Sequence, residues 1–294
     1  MTFVIDIIKG VFIGIANIIP GVSGGTMALS LGIYDKLIGA VSGFAKNRRD
    51  SLITLTPIVI GVLIGLVGFT YLIEYLLSQY TFITCMAFIG LILGGLPMIC
   101  RKLRTVLKAS GSAIGISGIL SFVILFSVAV FLPLLKSETE TMQVLVPSLF
   151  MTVIIFLIGI IASATMVIPG VSGSMVLMIL GYYYGILNSI KTFFNALKSF
   201  DVSVMINEAL ILVPCTLGIL LGIFLIARLI TYLFDHYAIQ TYCAILGLVI
   251  SSPFAIIYNT GLISLSKDIT AATIVTGIIC AVVGFVLTNF VGEK

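Results

Sequence analysis

Two stretches of this chain combine the residue types that can hold an anion: Pro20-Gly21-Val22-Ser23-Gly24-Gly25-Thr26 and Pro169-Gly170-Val171-Ser172-Gly173-Ser174-Met175. In each, proline and glycine stop one helix, and small hydroxyl and glycine residues start another. The start of a helix offers unpaired amides and a partial positive charge, which suit a phosphate or carboxylate. Gly21, Gly24, Gly25, Gly170 and Gly173 let a ligand approach the backbone, and Ser23, Thr26, Ser172 and Ser174 add hydroxyl donors. Asn17 can point its amide into the first opened turn. A single copy reads equally well as a simple kink; two matched copies argue for a site.

The charged residues within apolar sequence need a reason, because lipid penalises them. Arg228 lies two turns before the end of its helix, where it can snorkel to the interface or close on an anion with its planar fork. Glu74 is either interfacial or a proton-carrying carboxylate. Asp35 is a second coupling candidate, although Asp35-Lys36 also reads as a plain solvated pair. His236, beside Asp235 in a short turn, reads as a loop histidine. No residues have metal-ligand spacing, and neither a P-loop nor a nucleophile–base pair is visible, so no cofactor is implied. The cysteines Cys85, Cys100, Cys215, Cys243 and Cys280 read as small hydrophobes, not a disulfide framework.

Membrane helices must position these groups. Of 294 residues, 60% are hydrophobic and only 9% charged, against about 25% charged in soluble domains. Mean hydropathy is +1.30. The composition predicts an all-α integral membrane protein, with no soluble domain and no signal peptide. The net charge of +4 concerns topology, not nucleic acid. Apolar runs fall at 3–19, 22–44, 52–77, 81–99, 113–135, 146–168, 171–190, 209–234, 238–258 and 269–291. The pairs 3–19 with 22–44 and 146–168 with 171–190 read as helical hairpins broken at the motifs, either spanning or re-entrant. In lipid an opened backbone is tolerated only where protein or water covers it.

The halves repeat. Leu31-Gly32-Ile33-Tyr34 answers Leu180-Gly181-Tyr182-Tyr183; Pro57, Gly61 and Gly65 answer Pro214, Gly218 and Gly222; Gly90 answers Gly247. The offset grows by eight residues after the motif, which places an insertion near 191–207. The whole chain reads as one transport domain: a first repeat over 1–110, a linking helix at 113–135, a second repeat over 146–259 and a final helix at 269–291. Each half then holds a hairpin plus three transmembrane helices. A hairpin returns to its starting side, so each half crosses an odd number of times and the repeats are inverted. Matched breaks in two inverted halves point to a transporter's binding site.

Lys9, Lys46, Arg48, Arg49, Arg101, Lys102, Arg104, Lys108 and Lys294 fall on the side of the N-terminus. Lys136, Lys191, Lys198 and Lys267 fall opposite. By the positive-inside rule both termini are cytoplasmic. The opposite face also carries Glu138, Glu140, Asp201 and Glu208, and 191–198 reads as an amphipathic stretch on the outer surface. A homo-oligomer is compatible with this sequence.

Asn17-Ile18-Ile19-Pro20-Gly21-Val22-Ser23-Gly24-Gly25-Thr26, followed by Leu31-Gly32-Ile33-Tyr34-Asp35, resembles the polyprenyl-phosphate transporters, a bacterial and archaeal membrane family once known only as a domain of unknown function. The resemblance covers essentially the whole chain. It implies movement of undecaprenyl phosphate, the cell-wall lipid carrier, from the outer to the inner leaflet of the cytoplasmic membrane for reuse. In that family an acidic residue tends to follow Gly-x-Tyr in both halves; here Asp35 does, but Tyr184 takes the second place, so two symmetric carboxylates are not available. Proton or cation coupling through Asp35 or Glu74 is one expectation. A small-anion transporter is the alternative from the motif alone. An undecaprenyl pyrophosphate phosphatase is disfavoured, because Gly24 and Gly173 stand where such enzymes have arginine after the serine.

Overall fold

A chain this apolar can satisfy its backbone in lipid only by bonding within each segment, and its computed structural model is helical throughout. The structure describes residues 2–19, 22–135, 145–262 and 270–292. Among these are thirteen α-helices and no strand. They are α1 (Thr2–Ala16), α2 (Gly24–Ser30), α3 (Tyr34–Ser42), α4 (Arg48–Gln79), α5 (Thr81–Leu93), α6 (Leu96–Ser110) and α7 (Ile116–Phe131). After a short 3-10 turn follow α8 (Leu149–Val167), α9 (Gly173–Ile179), α10 (Tyr183–Ser199), α11 (Val202–His236), α12 (Ala238–Asn259) and α13 (Ala271–Gly292).

Seven described helical stretches are long and apolar enough to cross a membrane: 48–79, 81–110, 116–134, 149–167, 202–236, 238–259 and 271–292. This is a multi-pass membrane protein. Large apolar side chains point outward, such as Phe150 and Val67 at 76% and 70% exposure, as lipid-facing helices require. The run 3–19 yields only the 15 residues of α1, about 22 Å at 1.5 Å per residue against a core of about 30 Å. The run 22–44 is not one arm: it breaks again at 31–33 into α2 and α3. The run 171–190 breaks likewise, with α9 and α10 bent by 108°. The stretch 191–198 is the second half of α10.

Left-handed glycines cause both second breaks. Gly32 (φ +74°) follows α2 and Gly181 (φ +80°) follows α9, and an L side chain is strained at either. The hydrogen bonds match as well. Ile33 N–H reaches back to Ala28 O and Gly32 N–H to Leu29 O, while Tyr182 N–H reaches Leu177 O and Gly181 N–H reaches Met178 O. This is the Schellman-type closure of a helix.

The chain divides into two compact units. One contains Met1–Pro133, Ile168–Val171 and Ala227–Lys294; the other contains Leu134–Val167 and Ser172–Ile226. In the first, α1 crosses α4 where Gly10 and Gly14 meet Gly61 and Gly65. A Cβ on Gly61 would lie 2.1 Å from Ile7 O, and one on Gly10 would lie 2.4 Å from Ile58 O. In the second, α8 crosses α11 at Gly159, Gly218 and Gly222, where a Cβ on Gly218 would meet Phe156 O at 2.1 Å. The landmark glycines are thus crossing points in both copies, and close crossing at small residues is how helices pack in lipid. Within the first unit α13 also packs on α5 at Gly90 and Gly284, and α12 packs on α7 at Gly247. The second unit's core gathers Ile155, Ile158, Ile186, Ile211 and Cys215.

Candidate functional site

The first break follows from the last turn of α1. Ile18 and Ile19 N–H turn to Ile15 O and Ala16 O, an i to i−3 tightening, and Asn17 Nδ2 donates to Ile13 O at 3.0 Å. Pro20 and Gly21 lie outside the described residues, so the predicted role of Gly21 is not located. Ser23 then caps α2 with an extended backbone, φ −100° and ψ 135°, and its side chain makes no capping bond. Met27 N–H makes the first helical bond, to Ser23 O. The amides of Gly24, Gly25 and Thr26 precede it in the first turn of the helix, where intrahelical acceptors run out.

The Asn17 carboxamide lies beside Gly24. A Cβ on Gly24 would lie 2.6 Å from Asn17 Nδ2, so only glycine leaves the carboxamide room. Gly25 is half-buried and the most open of the four residues from Ser23 to Thr26. Ser23 and Thr26 are buried, at 4% and 0% exposure.

The two motifs meet within the first unit. Thr26 Oγ1 accepts a hydrogen bond from Gly170 N–H at 2.6 Å. Ser23 Oγ donates to Ile168 O at 3.5 Å, a long and therefore weak bond. Gly170 has φ +81°, and a Cβ there would lie 2.5 Å from Leu248 O. The other half of the second motif belongs to the second unit. There Ser172 caps α9 in the same extended conformation, and Ser172 Oγ and Ser174 Oγ are 2.9 Å apart. A Cβ on Gly173 would lie 2.3 Å from Met166 Cγ.

The backbone plan is thus common to both copies but the polar equipment is not. Met166 holds the place over Gly173 that Asn17 holds over Gly24, and Met175 stands where Thr26 does. The first copy carries an amide and a buried hydroxyl; the second carries a serine pair. This asymmetry is readable in the sequence once the copies are aligned.

The outlying candidates separate. Arg228 is exposed on α11, beside the fully buried Ala227. Glu74 faces outward from α4. Asp35 and Lys36 are not a pair with each other: Asp35 pairs with Lys102 of α6, and Lys36 pairs with Asp6 of α1. Asp6 and Lys9 are buried on α1, at 7% and 4% exposure. Their i, i+3 spacing on α1 was the available signal. Glu208 lies in α11, and one of its carboxylate oxygens is buried with no hydrogen-bond partner among the described residues.

His236 stacks on Tyr232 at 4.2 Å with its Nδ1 3.0 Å from Tyr232 O, a local contact at the end of α11. Among the described residues no cluster of His, Cys, Asp or Glu could hold a metal ion.

Comparison with known proteins places the chain among membrane transporters of one family. Residues 13–268 match a family described as undecaprenyl phosphate translocase-like. A polyprenyl-phosphate transporter of Staphylococcus aureus (strain NCTC 8325 / PS 47) is 31% identical over 256 residues, covering 86% of this chain and 85% of the relative. A polyprenyl-phosphate transporter of Vibrio cholerae serotype O1 (strain ATCC 39315 / El Tor Inaba N16961) is 25% identical over 266 residues, covering 86% and 77%. No solved structure matches the chain.

Proposed function

The chain belongs to the undecaprenyl phosphate translocase-like family, and we propose that it carries polyprenyl phosphate across the cytoplasmic membrane, from the outer to the inner leaflet, so that the lipid carrier re-enters cell-wall synthesis. The observation that carries this reading is the Thr26 to Gly170 bond, which ties the two helix-breaking motifs together within one unit. Moving this lipid requires a polar place for the phosphate inside an otherwise apolar body, while the isoprenoid tail stays in lipid. The opened turn supplies one. Amides of Gly24 and Gly25, the Asn17 carboxamide and the Ser23 hydroxyl, held by a bond weak enough to exchange, are the phosphate's ligands in the first copy. Gly170 backs them. Ser172, Gly173 and Ser174 perform the same chemistry in their own copy, and Arg228 assists loading or release. Thr26 serves by position, as the fastener of the Gly170 loop.

In this reading the halves are inverted repeats working by alternating access, with both termini cytoplasmic and the linking and final helices, α7 and α13, closing one repeat each. Coupling to a proton or cation gradient falls to Asp35 or Glu74. The test is flipping of a labelled polyprenyl phosphate by purified protein in liposomes. Ser23→Ala combined with Ser172→Ala is expected to lower the rate tenfold or more, on the order of one or two hydrogen bonds to a charged group. An unchanged rate in a folded variant would dismiss the assignment.

A further inference from the structure

The cation-rich helix α6 has a use that the paired motifs do not explain. We propose that its flank carries a second, separate docking groove for a phosphate-bearing lipid. A cleft of about 520 Å³ between α6, α12 and the end of α13 presents Arg101, Lys102 and Thr105. An adjoining cleft of about 290 Å³ is lined by Ile38, Phe234 and Ala238, and the two share Val106 and Tyr242. One end is therefore basic; the other is mainly apolar, with the Asp35 carboxylate and the Thr231 hydroxyl in its wall. α6 is built for this: Ile99 and Leu103 anchor it in the core, while Arg101 and Arg104 stay exposed.

The ion pair of Lys102 and Asp35 marks the junction, since Lys102 lines the basic cleft and Asp35 lines the apolar one. The Asp35 carboxylate already occupies a position that a phosphate oxygen would take on Lys102. Both side chains are well exposed, at 37% and 47%, and ion pairs of that kind are weak and readily exchanged. A phosphate brings more charge and more acceptor oxygens than a carboxylate, so it competes for the lysine. Asp35 thus acts as a displaceable stand-in for the ligand, and its displacement removes a tie between α3 and α6.

Charge complementarity with an apolar neighbour selects the occupant. Free phosphate would leave the apolar cleft empty, whereas a lipid phosphate uses both, as basic pockets between membrane helices do. The choice of a polyprenyl phosphate as that lipid rests on the function proposed above.

Native mass spectrometry of the detergent-solubilised protein with added undecaprenyl phosphate, with no gradient present, tests the groove. The wild type is expected to carry two lipid adducts. Lys102→Gln should need about tenfold more lipid for the second adduct, the weight of one charge-assisted contact. Asp35→Asn should reach it with about threefold less, as befits loss of a weak internal competitor. The opposite signs are decisive, because both variants break the same ion pair. Both moving in one direction, a single wild-type adduct, or a second adduct indifferent to both changes would overturn the groove and leave the carrier reading standing. No adduct at all would overturn both. Displacement of the second adduct by millimolar inorganic phosphate would assign the cleft to a free anion and overturn the lipid assignment.

Discussion

Replacing Thr26 by valine removes one oxygen and nothing else of size. Thr26 is fully buried, and its Oγ1 accepts the Gly170 N–H. Valine fills the same volume, so no cavity opens, but the Gly170 amide loses its acceptor in a place that water does not reach. An orphaned buried donor costs about 1–3 kcal/mol. If the whole cost falls on the transport-competent arrangement, each 1.4 kcal/mol is tenfold, giving a loss of roughly fivefold to 150-fold in flipping rate. Thr26→Ser keeps the oxygen and gives up one methyl, which costs about 1 kcal/mol in a packed site. Serine should therefore lie nearer the wild type than valine, although it is the less conservative change in shape. The assays are flipping of labelled polyprenyl phosphate in liposomes and thermal unfolding in detergent. Wild-type flipping and melting in Thr26→Val would refute the view that this bond fastens the site. So would a serine variant worse than valine.

Two more outcomes are expected. Gly61→Ala places a Cβ 2.1 Å from Ile7 O, a backbone atom that cannot swing away, whereas Gly68→Ala meets nothing within 4 Å. The first should lower the melting temperature by an overpacking cost of about 1–3 kcal/mol, and the second should leave it level or raise it slightly; equal effects would show that the crossing is not tight. Asp35→Asn should flatten any dependence of flipping on an imposed gradient, while Glu74→Gln, which faces outward from α4, should preserve it. Gradient dependence intact in both variants would remove both residues from coupling.

Much of this architecture was legible because glycine and proline act locally. The motifs announced their own helix breaks, and Gly61, Gly65, Gly218 and Gly222, noticed only as repeating landmarks, are the residues at which helices cross. What escaped detection depends on distance or direction. The Thr26 to Gly170 bond joins residues far apart in the chain, and no local pattern reports it. Asp35 and Lys36 were read together because they are adjacent, yet neighbours on a helix point in different directions, so each found a partner on another helix. The run 81–99 continues to Ser110, with a break at Gly94-Gly95. Gly95 lies there because a Cβ would strike Ser30 Cα at 2.4 Å, at the end of the motif helix α2. That constraint belongs to tertiary packing and leaves no trace in hydropathy.

The crossing of α1 and α4 can also be viewed as an adhesive. Where Gly10, Gly14, Gly61 and Gly65 lack side chains, the carbonyls of Ile58, Val62, Ile7 and Val11 come up against their Cα atoms. Each approach has the form of a Cα–H···O contact, worth about 0.5–1 kcal/mol. Lipid tails offer no competing donor or acceptor, so these contacts hold where the hydrophobic effect does not. They are also directional, and a slide of α1 by one residue would forfeit all four together. The pair therefore behaves as one stiff stave, and flexing is left to the short non-helical stretches at 17–19, 22–23 and 31–33, on either side of the motif helix.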